Sequence, residues 1–79
     1  MSRARAVVEA VAKGLADKPD AVHVTEREAR GQMFVELTMA PGDMGRVIGR
    51  QGRTAQAVRT LANLAAEMDG TKVSVDFRD

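Results

Sequence analysis

The spacing of apolar residues switches period along the chain, and that switching limits the fold more than any other feature. Ala4, Val7, Val8, Val11, Ala12 and Leu15 recur every three or four residues, as on one side of an α-helix. Ser2 is placed to cap it, and Pro19-Asp20 breaks the pattern. Val22 and Val24 then alternate with His23 and Thr25 as a short strand. Met33, Val35, Leu37 and Met39 alternate with Phe34, Glu36 and Thr38, the period of a strand with one buried face. Ala29-Arg30-Gly31-Gln32 supplies a short turn between these strands, which predicts an antiparallel hairpin. Pro41-Gly42 stops the second strand. Asp43 opens a very short helix, where its carboxylate suits the N-terminal dipole, and the helix reaches only from Met44 to about Ile48 before Gly49. From Arg53 a longer helix carries Ala57, Val58, Leu61, Ala62, Leu64, Ala65 and Met68, a face wide enough to bury much of its girth. Asp69-Gly70 closes that helix, and Val73, Val75 and Phe77 mark a last strand.

The order α-β-β-α-α-β predicts an α+β fold: a two-layer α/β sandwich with a three-stranded sheet and the two longer helices on one face. His23 should point away from that layer and is assigned no role. The 79 residues suit one domain spanning 1–79, and a chain of that size buries only about 60% of its extended surface.

Composition removes whole classes of chemistry. No cysteine is present, so disulfides, thiolate nucleophiles and Cys-based metal sites are excluded together. A single histidine cannot build a His–His metal motif, and Ser2 and Ser74 have no histidine in a matching role. We therefore expect no enzyme, no catalytic residue, no cofactor and no metal. No apolar run approaches a membrane span, and the N-terminus lacks a signal-peptide core. Arg3 and Arg5 beside Val7 and Val8 faintly outline a transit segment, but Glu9 and Asp17 follow at once. The expectation is a cytoplasmic protein without a membrane partner. Phe34 and Phe77 are the only aromatic residues, which weighs against modules that stack bases on exposed rings.

Net charge is +1, but it is unevenly spread. Between residues 44 and 66 lie Arg46, Arg50, Arg53 and Arg59 and no acid, leaving eight basic against eleven acidic residues elsewhere. Four glycines fall in the same region, at Gly42, Gly45, Gly49 and Gly52. They form neither a G-x-G dinucleotide fingerprint nor a P-loop. The G-x-x-G spacing occurs twice, and context separates the copies. Gly42-Asp43-Met44-Gly45 holds an acid and reads as a helix start. Gly49-Arg50-Gln51-Gly52 lies between two helices and holds a cation and an amide. Two glycines so spaced leave the backbone bare, so a phosphate could approach beside a helix N-terminus. The same residues would equally serve a helix–helix turn that needs glycine for geometry alone.

Val47-Ile48-Gly49-Arg50-Gln51-Gly52 followed by an apolar helix resembles the KH motif, a V-I-G-x-x-G turn between two helices. A helix and a strand precede the β-α-α-β core, as in the type II KH fold. The run from Gly45 to Leu61, together with the flanking elements, is similar throughout to the KhpA family of small bacterial single-KH proteins. The resemblance implies binding of single-stranded RNA in a narrow groove of about four nucleotides, with low sequence specificity and a role in post-transcriptional regulation. By the same resemblance Gly49, Arg50, Gln51 and Gly52 would hold the RNA backbone, with Arg46 and Arg53 flanking them. Val47, Ile48 and Val58 occupy the motif's apolar positions, divided between groove floor and core. Ala55 stands where the KH pattern has a large aliphatic residue, which implies a shallow floor and weak base discrimination. The family further implies a KhpB-type (Jag) KH partner and self-association as a homodimer, for which Ala62, Ala65, Ala66 and Met68 could offer a surface. Two other readings stay open: an assembly module with incidental RNA binding, and a helix-turn-helix DNA binder. The second fits poorly with a last helix rich in apolar residues.

Overall fold

Ser2 sets the first helix by accepting the Arg5 N–H on its hydroxyl at 3.0 Å, which satisfies one of the N–H groups a helix start leaves open. The structure, a computed structural model, describes residues 2–78. Helix α1 (Arg3–Leu15) buries Ala4, Val8 and Ala12 on one side, as their spacing predicts. A single 3-10 turn at Pro19–Ala21 leads into strand β1 (His23–Ala29), which pairs antiparallel with β2 (Gln32–Thr38). Their connection is only Arg30 and Gly31, both at positive φ (54° and 78°), the two-residue turn whose twist matches a hairpin. Strand β1 runs past Thr25 to Ala29, longer than its apolar alternation indicated. Glu26 breaks that alternation, and it is held on the helix-facing side by the Ser2 backbone N–H at 3.3 Å and by Arg5 at 3.8 Å.

After β2 come α2 (Met44–Ile48), a 3-10 turn (Arg50–Gly52), α3 (Arg53–Met68) and β3 (Lys72–Arg78). Strand β3 lies parallel to β2, with Gln32 beside Lys72 and Thr38 beside Arg78, so the sheet order is β1-β2-β3 and β3 is an edge. Helices α1 and α3 pack together on one face of the sheet. The core joins Val8 and Ala12 of α1, Val35 and Leu37 of β2, Val47 of α2 and Val58 and Ala62 of α3. Leu37 is fully buried, and truncating such a residue to alanine typically costs about 2–5 kcal/mol. The other sheet face is open and polar. There Arg27 covers the Phe34 ring at 4.6 Å, and Arg78 pairs with Asp76 and Glu36 at 2.9 and 3.2 Å.

Asp43 stands at the N-cap of α2, as its place in the sequence indicates, without a side-chain hydrogen bond to that helix. Its carboxylate is buried and accepts the Lys18 backbone N–H at 3.0 Å, tying the α1–β1 connection to the start of α2. The breadth of the buried face on α3 needs correction: the helix buries only Ala55, Val58, Ala62, Ala65 and Ala66. Leu61, Leu64 and Met68 are 48, 54 and 71% exposed, because a three-stranded sheet already shared with α1 covers one side of the helix and no more.

Candidate nucleic-acid interface

Glycine is required at the end of α2 for two separate reasons. The Gly49 N–H closes the helix on the Gly45 carbonyl at 2.9 Å, and the chain then turns with Gly49 at φ 73°, ψ 179°, a region essentially reserved for glycine. A Cβ there would also sit 2.8 Å from the Thr54 Cβ and closer still to its hydroxyl. Gln51 (φ 58°, ψ 24°) and Gly52 (φ 72°, ψ 13°) are left-handed as well. Gln51 carries the strain of a non-glycine residue in that region, of about 1–2 kcal/mol. A Cβ on Gly52 would meet open space, so this backbone has nothing over it. The loop delivers the chain directly into the 16-residue α3, whose first turn has no side-chain cap and no acidic residue. Uncapped N–H groups at the positive end of a helix dipole favour an anion.

The cations around this loop are not equivalent. Arg46 lies on α2, where its guanidinium meets Asp17 at 3.0 Å and Asp43 at 3.8 Å. The acid-free stretch of sequence thus acquires two carboxylates from elsewhere in the chain. Arg50 is exposed, and Arg53 donates to the Gln51 side-chain oxygen at 3.2 Å, which holds both side chains over the turn. Among the described residues neither Arg50 nor Arg53 has an acidic partner. Arg59 is likewise without one. Its Nε reaches the Val75 carbonyl on the edge strand at 3.4 Å, and its guanidinium lies 4.8 Å from the Phe77 ring centroid.

The apolar motif positions separate cleanly. Val47 and Val58 are in the core at 0 and 2% exposure, so they position the loop from beneath and offer no surface. Ile48, 38% exposed, is the accessible aliphatic of the three. Ala55 is buried and small, which leaves the start of α3 shallow. Sequence reasoning counted Arg59 among the basic residues but missed its reach to β3. The available signal was its position directly after Val58, on the border of the buried stripe. The proposed surface of Ala62, Ala65, Ala66 and Met68 is not one: the three alanines are buried and only Met68 is exposed. A different stripe, Ala57, Leu61, Leu64 and Met68, runs exposed along α3 at four-, three- and four-residue spacing. Among the described residues no group of His, Asp or Glu could hold a metal, and no helix is long and apolar enough to cross a membrane.

Comparison with known proteins places this geometry in a family. The family described as KhpA/KhpB, KH domain, matches residues 5–77. A protein named RNA-binding protein KhpA from Caldanaerobacter subterraneus subsp. tengcongensis is 49% identical over 71 residues, covering 90% of this chain and 95% of its own. A protein of the same name from Clostridium perfringens is 46% identical with the same coverage. That from Aquifex aeolicus is 40% identical over 98% of both chains. Among solved structures, an Aquifex aeolicus Era variant bound to GDP and AlF4− superposes with a TM-score of 0.64 at 17% identity. The match covers 94% of this chain and 29% of that one, and it is a likeness of fold. With its loop, its helix order and its mixed sheet in agreement, the chain belongs to the KhpA/KhpB family of KH domains.

Proposed function

We propose that this chain is a single KH domain that holds short single-stranded RNA at the 49–52 loop, with low sequence specificity, in cytoplasmic post-transcriptional regulation. One observation carries the reading: a bare left-handed turn, with Arg50 in it and Arg53 beside it, both without an acidic partner among the described residues, feeds an uncapped helix N-terminus. A phosphate at that point meets backbone N–H groups and two guanidinium groups, with no acid in the first turn of α3 to oppose it. The names of the relatives support RNA as the ligand. The shallow surface around Ala55 and Ile48 supports weak discrimination between bases. Neither phenylalanine is exposed as a stacking platform, so dissociation constants should be about micromolar. The reading requires no catalytic step and no cofactor. Competition among single-stranded RNA, duplex RNA and duplex DNA tests it, with single-stranded RNA expected to win. A clear preference for duplex DNA would replace this reading with a helix-turn-helix mode.

The exposed stripe of Ala57, Leu61, Leu64 and Met68 favours a second role beside the first. Its spacing is that of a helix seam, and such a seam buries well against another helix. Pairing with another KH chain, either a second copy or a KhpB-type (Jag) protein, would cover it. Sedimentation of the chain alone and with such a partner tests this. A monomer at every concentration that also ignores the partner would remove the assembly role.

A further inference from the structure

The chain contains two aromatic rings, and an arginine covers each of them. The two pairs differ in their surroundings. Arg27 and Phe34 lie on the open sheet face, in the same cavity as Glu36, Asp76 and Arg78, where the two carboxylates offset the two guanidinium groups and leave no net positive charge for a nucleic acid. Phe77 sits opposite Leu37 in the sheet register and packs against the core, so it faces the helical layer. Arg59 reaches it from α3, the helix that begins at the RNA-holding loop. From Arg53 to Arg59 is about 9 Å along the helix axis. A four-nucleotide strand clamped at the loop extends that far.

Building on the RNA-binding reading above, we propose that Arg59 is a second RNA contact, a guanidinium plane on which a base stacks, with Phe77 as the positioning residue behind it. Three observations support this. One side of the guanidinium is occupied by the ring at 4.8 Å, while the residue as a whole is exposed, leaving its other side to a ligand. Among the described residues its other tie is a long hydrogen bond from Nε to the Val75 carbonyl, at 3.4 Å, which fixes the side chain across α3 and β3 without neutralising it. Both phenylalanine rings are half-buried and each lies under an arginine, and a guanidinium plane can stack on any base. Sequence tolerance follows, because every base has a stacking face.

The test compares the parent with Arg59→Ala and Arg59→Lys in titrations of an oligoribonucleotide carrying one 2-aminopurine, with the loop variant Arg50→Asp/Gln51→Asp beside them. Arg59→Ala should weaken binding about five- to a hundredfold, the value of one stacked base. It should also flatten the log–log salt slope by about 0.7. Arg59→Lys should restore the slope but not the affinity, and should lose the change in 2-aminopurine emission expected of the parent on binding, since an ammonium is a point charge without a plane. Phe77→Leu should lose that change in emission while leaving the slope unchanged, and if it does not fold, the lysine comparison decides alone. A parent that binds and an Arg59→Ala variant that binds equally well overturn the proposal and leave the loop reading standing. Full recovery of affinity and of the emission change by Arg59→Lys overturns the stacking role. A parent that binds no RNA overturns both.

Discussion

Gly49 and Thr54 approach so closely across the loop that no Cβ fits between them. This contact, together with ψ near 180° at a positive φ, fixes where α2 ends and how α3 begins. Gly49→Ala should therefore destabilise the chain by about 3 kcal/mol or more, from backbone strain and a clash that must be relieved together. Gly52→Ala meets only left-handed strain and should cost about 1–2 kcal/mol. Chemical denaturation of the two variants checks the order, and equal losses would contradict it.

Asp43 gives a second stability test. Its buried carboxylate is the acceptor for the Lys18 N–H, so Asp43→Ala leaves a donor unsatisfied at the α1–β1 connection. The expected loss is about 1–3 kcal/mol by denaturant titration. Asp43→Asn keeps an acceptor and should recover most of it.

Much of this architecture was legible in the sequence, and the exceptions have physical causes. Helix α1, the hairpin and the glycine-bounded loop follow from local spacing and turn chemistry, which need no distant partner. The end of β1 was not legible, because Glu26 faces the helices only with help from Ser2 and Arg5, 24 and 21 positions away. The burial of α3 was not legible either. Leu61, Leu64 and Met68 have the spacing of a buried face, and whether such a face is covered depends on how wide the sheet is. The neutralised Arg46 belongs to the same class, since Asp17 reaches it from outside the basic segment.

That neutralisation makes a prediction about binding. Among the described residues Arg50, Arg53 and Arg59 have no acidic partner, so RNA affinity should fall with salt at a log–log slope of about −2. Arg46→Ala should change affinity less than Arg50→Ala, because its charge is already shared with Asp17 and Asp43. Asp17→Asn should raise affinity by freeing it. Titrations at three salt concentrations test all of these, and a slope near zero would contradict the electrostatic account.

The exposed stripe on α3 can be changed without disturbing the core. Leu61→Glu and Leu64→Glu alter side chains that are 48 and 54% exposed, where substitutions typically shift stability by about 0.5 kcal/mol or less. Both should abolish self-association measured by sedimentation while the monomer melts as the parent does. Loss of the fold in both would mean the stripe belongs to the core.

Glu26 predicts a modest acid sensitivity. Its hydrogen bonds from Ser2, with the nearby Arg5 guanidinium, hold its carboxyl below the ordinary value of 4.5. A depressed carboxyl contributes stability that is present above the unfolded-state value and lost as pH falls through the folded one. Melting temperature should drop below about pH 4.5, and Glu26→Gln should drop less over that interval.

The RNA site proposed above is the 49–52 loop. Arg50→Asp with Gln51→Asp tests it most directly, since both side chains are exposed and Gly49 and Gly52 remain to set the turn. Aspartate also tolerates the left-handed conformation at position 51. Two carboxylates facing an incoming phosphate turn attraction into repulsion. RNA titration beside thermal melting should give an unchanged melt and no measurable binding. A double variant that melts like the parent and binds RNA equally well would mean the loop is only a connector between helices.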